Sequence, residues 1–155
     1  PMIHIPLRDN QVWKDGIFEF KVIHVPGHTS GHICFHFFNE KTVFTGDTLF
    51  SLGCGRIFEG RFEYMFISLL ILKVLPPETK VYFGHEYTLN NAIFCQRFDQ
   101  NNSELNKKIL NIKKKLDSGF PSVPSTIKDE LNCNIFLRAK NQEEFSKLRD
   151  LKDNF

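Results

Sequence analysis

The first half of the chain alternates short apolar runs with polar turns, which is typical of β-strands. Apolar and β-branched residues fill positions 17–25, 33–38 and 42–45, and the first run alternates with polar residues at its start. The polar residues 39–41 separate the second and third runs, and this short spacing predicts a β-hairpin. One more strand is predicted at 80–83.

Helices are predicted between and after these strands. The apolar stretch 62–75 is typical of a buried helix, and it ends before Pro76 and Pro77 because proline cannot continue the backbone hydrogen bonding. After about residue 86 the pattern becomes helical, without strands, and begins with a helix at 88–98. The further boundaries come from capping residues: Ser103 as N-cap and Gly119 as the stop of one helix, and capping-box spacing at Thr126 with Asp129 and at Asn141 with Glu144.

The composition is that of an ordinary globular protein. Its 155 residues suit one domain, or one domain with a small appendage, and 41% are hydrophobic against 25% charged. Lys and Arg number 20 and Asp and Glu 18, so the net charge of +2 argues against a nucleic-acid partner. The most apolar run, 65–75, contains Lys73 and is too short to span a bilayer, which argues against a membrane partner.

The four cysteines, at positions 34, 54, 95 and 133, show no C-x-x-C spacing. That spacing is typical of zinc ribbons and thioredoxin-type redox sites, so neither is expected. We interpret the cysteines as reduced thiols of a cytoplasmic protein. Because the first residue is not Met, an organellar targeting segment ahead of it stays open.

Three predicted strands end in the same way, with a Gly followed by a His or Asp. His28 follows the first of them, Asp47 follows the hairpin and His85 follows the last strand. Imidazole nitrogens and carboxylate oxygens are the usual ligands of zinc-like metals. Because strand ends cluster along one edge of a sheet, these three side chains are candidates for one metal site. The alternative is a set of satisfied polar turn residues, and spacing does not decide between the two.

The other histidines carry weaker signals. His32 lies close to His28, and we assign it to structure, as a group that fixes the geometry of a neighbouring ligand. Structural roles are also expected for the three histidines in or beside apolar strands, His4, His24 and His36.

The short run 53–56 is a candidate for ligand contact. Its two glycines allow the backbone to approach a ligand closely, and Arg56 can hold a carboxylate with two hydrogen bonds. Cys54, between the glycines, has no evident general base beside it, which argues against a nucleophilic cysteine.

Motifs distributed along the chain resemble one enzyme family. In order, they are GHTSGHICF, VFTGDTLF, GCGRIFEG, LPPETKVYFGHEYT, NN-x-x-F, VPSTIKDELNCNIFLR and LRDLKDNF. They run from about Ile17 to Phe155 and resemble glyoxalase II, the hydroxyacylglutathione hydrolases of the metallo-β-lactamase superfamily. The resemblance implies an α/β fold, the second half only of the αββα metallo-β-lactamase sandwich at 1–86, followed by a C-terminal α-helical, substrate-binding domain at 87–155.

That family carries a binuclear metal centre, usually zinc, with iron or manganese also found. The resemblance implies that His28 binds one metal, His85 binds the other and Asp47 bridges both. The implied reaction is hydrolysis of S-(2-hydroxyacyl)glutathione, such as S-D-lactoylglutathione, to glutathione and a 2-hydroxy acid such as D-lactate. In this reaction a metal-bound hydroxide attacks the thioester carbonyl.

The resemblance also implies a glutathione site. Its residues would be Arg56, the backbone around Gly55, Tyr87, Arg149 and Lys152. Arg149 and Lys152 are three positions apart on the last predicted helix, so they project from one face. The family most often has Tyr where this chain has Phe58, which puts a hydrogen bond from that position to the ligand in doubt.

One superfamily motif, T-H-x-H-x-D-H, does not occur in the sequence. It supplies four metal ligands, and the chain begins after the point where it would lie. We therefore expect this chain by itself to be an incomplete, inactive portion whose exposed sheet invites self-association. The alternatives are a persulfide dioxygenase of the same fold with mononuclear iron, which the helical tail disfavours, and a non-catalytic structural or regulatory half.

Overall fold

The computed structural model describes residues 4–155. Its strands are β1 (Val12–Lys14), β2 (Glu19–His24), β3 (Ile33–Phe37), β4 (Thr42–Gly46), β5 (Leu49–Phe50), β6 (Gly53–Cys54), β7 (Lys80–Phe83) and β8 (Ser125–Thr126). Its helices are α1 (Phe62–Lys73), α2 (Thr88–Phe98), α3 (Ser103–Asp117), α4 (Ile127–Cys133) and α5 (Gln142–Asp153). Within the described residues, none of these helices is long and apolar enough to cross a membrane.

Six strands form one mixed sheet in the order β1-β2-β3-β4-β7-β8, while β5 and β6 form a separate small hairpin. Each strand from β1 to β4 is antiparallel to the next, and β4 is parallel to β7. Consequently β2, β4 and β7 all run in the same direction. Their C-terminal ends therefore lie along one edge of the sheet, as the sequence pattern predicted.

Most predicted elements are confirmed, with shifted ends. β2 occupies Glu19–His24 within the predicted run 17–25, and the hairpin turn at 39–41 joins β3 to β4. α1 ends at Lys73, just before the predicted end at 75. The N-caps at Thr126 and Asn141 are confirmed, since their side chains accept hydrogen bonds from the backbone N–H groups three residues later.

Two expectations about the helical region are wrong. The region after residue 86 is not free of strands, because β8 pairs antiparallel with β7 and covers that edge of the sheet. Ser103 is not an N-cap, because Asn102 takes that place and its side chain accepts a hydrogen bond from the Leu105 N–H at 3.0 Å. Asn and Ser are about equally good N-caps, so adjacent candidates cannot be separated by type alone.

The two faces of the sheet are covered differently. Val43 and Val81 on the inner face are fully buried in a hydrophobic core that includes Leu72 of α1. On the outer face Phe44 stacks on Tyr82 with ring centroids 5.3 Å apart, and 44% of Phe44 remains exposed. Further aromatic rings contact one another across neighbouring strands, namely Phe18, Phe20, Phe35 and Phe37. We call this group of six rings the aromatic outer face.

Candidate metal centre and substrate cleft

His28, Asp47 and His85 meet where β2, β4 and β7 end. His28 Nε2 lies 3.5 Å from Asp47 Oδ2, and His85 Nε2 lies 3.2 Å from Asp47 Oδ1. The structure therefore brings together the three residues that the strand-end pattern singled out.

Two glycines allow this close approach. A Cβ at Gly84, next to His85, would lie 2.9 Å from Asp47 Oδ1. A Cβ at Gly55 would lie 1.9 Å from the backbone oxygen of Asp47. A side chain at Gly55 would displace the backbone of Asp47, and one at Gly84 would displace its Oδ1, so the position of Asp47 depends on both glycines.

The cluster consists of side chains whose nitrogen and oxygen atoms are common metal ligands. Asp47 Oδ1 is buried and accepts no hydrogen bond, although His85 Nε2 is its near neighbour. Each oxygen of Asp47 faces a different imidazole, an arrangement that suits a bridging carboxylate. Within residues 4–155, no three His, Cys, Asp or Glu side chains surround a single point that could hold a metal ion. On each side of the Asp47 carboxylate, the described residues thus offer two donor atoms: one imidazole nitrogen and one oxygen of Asp47 itself.

Backbone groups orient the ligand candidates. The His28 Nδ1 lies 2.8 Å from the Arg56 carbonyl oxygen, which can only accept, so Nδ1 carries a proton and Nε2 is the ring nitrogen that faces Asp47. His32 Nε2 accepts a hydrogen bond from the Asp47 N–H at 3.2 Å. His32 thus contacts the backbone of the loop, in keeping with the structural assignment made from the sequence.

A cleft of about 320 Å³ lies beside this cluster. Its walls come from the β5–β6 hairpin and the segment after it, from α2, and from α5. They include four of the five residues expected to bind substrate, and the full lining is Phe50, Cys54, Arg56, Tyr87, Asn90, Asn91, Arg149, Lys152, Asp153 and Phe155.

The fifth expected residue, Phe58, does not line this cleft. Its ring packs edge-on against His28 with centroids 5.2 Å apart, and 69% of Phe58 is exposed. Tyr87 stacks on His85 with centroids 5.0 Å apart and an interplanar angle of 19°. Aromatic rings therefore flank both histidines of the cluster, one on each side.

Arg149 is far more buried than a solvent-facing clamp would be, since only 4% of it is exposed. It donates to the Cys54 carbonyl oxygen at 3.0 Å and to Asp153 Oδ1 at 2.8 Å. Asp153 Oδ1 also accepts from Arg56 Nε at 3.2 Å. One carboxylate thus links the two arginines, and much of the hydrogen-bonding capacity of Arg149 is taken up inside the protein.

Lys152 lies in more open surroundings than Arg149. Its Nζ donates to Asn90 Oδ1 at 2.7 Å and lies 5.1 Å and 5.0 Å from the ring centroids of Phe94 and Phe155. Partial burial lowers the pKa of Lys152, and the nearby positive charge of Arg149 lowers it further.

The cysteines are free, buried thiols. Burial raises the pKa of Cys54 even though Arg149 Nη1 lies 3.7 Å from its sulfur. Burial likewise raises the pKa of Cys34 and Cys95 to about 12. A protonated, buried thiol is a poor nucleophile, which agrees with the argument against a catalytic Cys54.

Sequence reasoning missed Asp153 and Asn90. Asp153 is four residues after Arg149 on a predicted helix, a spacing that could have identified the pair. No local signal points to Asn90, which meets Lys152 only because α2 packs beside the end of α5.

Two family models match the chain in succession. Residues 5–85 match the model described as Metallo-beta-lactamase superfamily. The chain belongs to the metallo-β-lactamase superfamily. Residues 86–155 of this superfamily member match the model described as Hydroxyacylglutathione hydrolase C-terminus. The fold class predicted from the sequence, a part of the metallo-β-lactamase sandwich followed by a helical region, is confirmed.

Relatives from curated collections agree with the predicted resemblance to glyoxalase II. A hydroxyacylglutathione hydrolase of Pelagibacter ubique (strain HTCC1062) is 57% identical over 155 residues, which are 100% of this chain and 65% of the relative. One of Rhizobium etli is 43% identical over 169 aligned residues, which cover 100% of this chain and 66% of the relative. The chain of this superfamily member thus spans slightly less than two thirds of the length of these relatives.

Solved structures show the same superfamily fold. ETHE1 from Myxococcus xanthus superposes with a TM-score of 0.66 at 26% identity, covering 94% of this chain and 51% of that one. The BLEG-1 B3 metallo-beta-lactamase superposes with a TM-score of 0.59 at 24% identity, covering 86% and 48% of the two chains, and supports the fold alone.

Proposed function

We propose that the protein containing this chain hydrolyses S-(2-hydroxyacyl)glutathione, such as S-D-lactoylglutathione, to glutathione and a 2-hydroxy acid such as D-lactate. One observation carries the proposal: two residues that line the cleft also contact the histidines of the cluster. We call the cleft, which Arg56, Arg149 and Lys152 line, the cationic cleft, and we call His28, Asp47 and His85 the ligand cluster. Tyr87 lines the cleft and stacks on His85, while Arg56 lines the cleft and its carbonyl oxygen orients His28. A thioester bound through its glutathione end in this cleft would have its acyl end near Asp47.

His28, Asp47 and His85 would hold a pair of metal ions, with Asp47 between them. Zinc is the proposed metal, with iron or manganese as alternatives. Bound there, the metals would polarise the thioester carbonyl and activate water at neutral pH. The chain itself supplies the bridging carboxylate, fixes the His28 tautomer through the Arg56 carbonyl and stacks Tyr87 on His85.

The cleft residues suit the charges of glutathione, which carries two carboxylates. Arg56 and Lys152 present cationic groups toward the cleft, and the Arg56 side chain is 55% exposed. The buried Arg149 adds positive charge and holds Asp153, which in turn orients Arg56. Tyr87 adds a hydroxyl at the end nearest the cluster, whereas Phe58 offers only an apolar surface beside His28.

The proposed division of labour follows the two predicted domains. Residues 1–86 would carry the metal ligands and residues 87–155 most of the substrate contacts. Arg56 and Cys54 line the cleft from the first region, so substrate would bind between the two. Because all four cysteines are free, we place the protein in the cytoplasm.

The aromatic outer face supports a further part of the proposal, self-association of the 155-residue chain. Its rings are partly exposed on an otherwise well-packed sheet, and exposed apolar patches of this kind favour association. Sedimentation of the 155-residue chain over a range of concentrations tests this. A strictly monomeric chain at high concentration would contradict it.

The test of function uses this chain joined to the third of its relatives' length that it does not span, and we call this longer protein the full-length protein. Metal-loaded protein should release glutathione and lactate from S-D-lactoylglutathione. It should act much more slowly on the lactoyl thioester of N-acetylcysteamine, which lacks both carboxylates. Equal rates on the two thioesters would contradict a glutathione-specific cleft, and oxygen-dependent consumption of glutathione persulfide without thioester hydrolysis would favour the dioxygenase alternative.

A further inference from the structure

Glu130 on α4 is a fully buried carboxylate far from the proposed metal ligands in sequence, and it is 0% exposed. Buried carboxylates are costly unless they are fully hydrogen-bonded, so its partners indicate what it does. They come from three other parts of the fold: Lys108 of α3, Ser125 of β8 and Leu52 in the turn of the β5–β6 hairpin.

The two oxygens of Glu130 have separate partners. Oε1 accepts from Lys108 Nζ at 2.6 Å and from the Ser125 hydroxyl. Oε2 accepts from the Leu52 N–H at 2.7 Å and from Asn134 Nδ2 at 3.0 Å. Oε1 therefore ties α4 to α3 and β8, whereas Oε2 ties α4 to the hairpin.

Asn134 is also fully buried, and its side-chain amide contacts both strands of the same hairpin. Its Nδ2 lies 3.0 Å from the Gly53 carbonyl oxygen and 3.4 Å from that of Phe50. Leu52 has a φ of +60°, a backbone conformation that is unfavourable for most residues other than Gly, Asn and Asp. The turn is thus held in an unfavourable backbone conformation by two side chains from the helical region.

This hairpin leads directly into both parts of the site. Phe50 and Cys54 on its two strands line the cleft, and Arg56 follows two residues later. The Arg56 side chain lines the cleft, and its carbonyl oxygen accepts the hydrogen bond from His28 Nδ1. A shift of the hairpin would therefore move a cleft wall and the group that orients His28 together.

We propose that Glu130, with Asn134, is a positioning residue that places Arg56 for substrate binding and for orienting His28. It touches neither substrate nor metal and acts through the backbone of the β5–β6 hairpin. The inference rests on the proposed function only for the identity of the ligand.

The experiment compares variants of the 155-residue chain. Glu130→Leu removes the acceptor for the Leu52 N–H. Glu130→Gln is the conservative variant, because one amide oxygen can still accept from Leu52. Lys108→Met is the matched control for stability, since it breaks the same buried ion pair on the Oε1 side and leaves the hairpin hydrogen bonds in place.

Two quantities are measured on folded samples: the Kd for S-methylglutathione by calorimetry and the ¹⁵N shifts of the His28 ring by NMR. Glu130→Leu should weaken binding about tenfold or more, because the displaced Arg56 would lose its charge-assisted contact with the ligand. It should also bring the two His28 ring nitrogen shifts closer together, because the tautomer is no longer fixed. Glu130→Gln and Lys108→Met should stay within about twofold of the parent Kd and keep the parent His28 signals.

The outcomes separate the proposed function from the positioning role of Glu130. If the parent chain does not bind S-methylglutathione, the proposed function loses its support, while the His28 shifts still test Glu130. If Glu130→Leu keeps both the affinity and the His28 signals, or if Lys108→Met loses as much as Glu130→Leu, the positioning role is wrong. Should Glu130→Leu fail to fold, Asn134→Ala takes its place, with the same expected losses and the same overturning result.

Discussion

The ligand cluster and the cationic cleft lie side by side but are built differently. His28, Asp47 and His85 each follow a strand, so local turns and strand direction alone bring them to one edge. The cleft instead joins segments almost a hundred positions apart, as in the contact of Arg56 with Asp153. The first depends on local sequence and sheet topology, and the second depends on how the helical region packs against the hairpin.

The largest effect is expected at the cluster. Asp47→Ala in the full-length protein should abolish turnover and lower the metal content, since Asp47 is the carboxylate proposed to bridge two cations. The rate loss should exceed the roughly 10- to 100-fold typical of residues that only support metal ligands. Metal analysis and steady-state kinetics measure it, with Asp150→Ala, an exposed acid on α5, as the control. A normal rate and full metal content would reduce Asp47 to a turn residue.

The 155-residue chain alone should hold little metal and show no thioesterase turnover. Its described residues offer only two donors on each side of Asp47, and metal affinity depends on the number and geometry of the ligands. Metal content after dialysis, compared between the chain and its Asp47→Ala variant, measures this. Stoichiometric binding of two metals with turnover would contradict it.

In the cleft, the buried Arg149 and the more exposed Lys152 should respond differently to substitution. Arg149→Met should lower the free energy of unfolding by about 1–3 kcal/mol, because it removes the buried hydrogen bonds from Arg149 to the Cys54 carbonyl oxygen and to Asp153, while Arg56 still pairs with Asp153. The control is Lys147→Met, which breaks an ion pair of the same i,i+4 spacing on the same helix between mostly exposed side chains. That variant should lose less than about 0.5 kcal/mol. Denaturant titration of the two variants measures the difference, and equal losses would refute the structural role of Arg149.

Lys152→Gln should affect binding rather than chemistry. Its contact is remote from the reacting carbonyl, so its loss should raise KM for the glutathione thioester about 10- to 100-fold and leave kcat nearly unchanged. The same variant should behave like the parent on a thioester without the glutathione carboxylates. A fall in kcat alone would place Lys152 in the chemistry instead.

The smallest effect is a pH dependence of binding. The pKa of Lys152 is lowered from 10.5, so the ammonium and its attraction for a carboxylate should be lost as pH rises through a value below 10.5. Affinity for S-methylglutathione is therefore expected to fall earlier than for an ordinary lysine. Lys152→Arg stays charged over this range, so subtracting its profile removes the titration of the ligand itself. Identical profiles for the two proteins would contradict the prediction.

The same shift has the opposite sign for the stability of the free chain. Because the folded pKa lies below the unfolded value, the unfolded chain binds more protons between the two. The Lys152 contribution to stability should therefore improve as pH rises through that window. Binding and stability thus change in opposite directions, which separates a titrating Lys152 from general alkaline unfolding.

The sequence predicted the cluster well because its signals are short. Gly followed by His or Asp after a strand is visible without knowledge of the partners, and the hairpin at 39–41 supplies the reversal between β3 and β4. Errors of the same local kind remained small, such as the N-cap at Asn102 instead of Ser103.

The cleft was predicted as a set of residues but not as a structure. Arg149 and Lys152 were expected to act alike because they share a helix face. Arg149, however, is buried and donates to the Cys54 carbonyl oxygen and to Asp153, whereas Lys152 donates to Asn90. Helical periodicity gives the face of a residue but not the depth of its side chain. That depth depends on which other segment packs there.

What the sequence determined by itself is a set of residue types and their order along the chain: His or Asp after three strand ends, the cationic tail and the family motifs. Those features follow from backbone periodicity and residue type, which act over a few positions. Only the tertiary structure decided that Glu130 holds the Leu52 turn and that Asp153 links two arginines. Such contacts join residues far apart in the chain, and burial makes them specific because a buried polar group must find a partner.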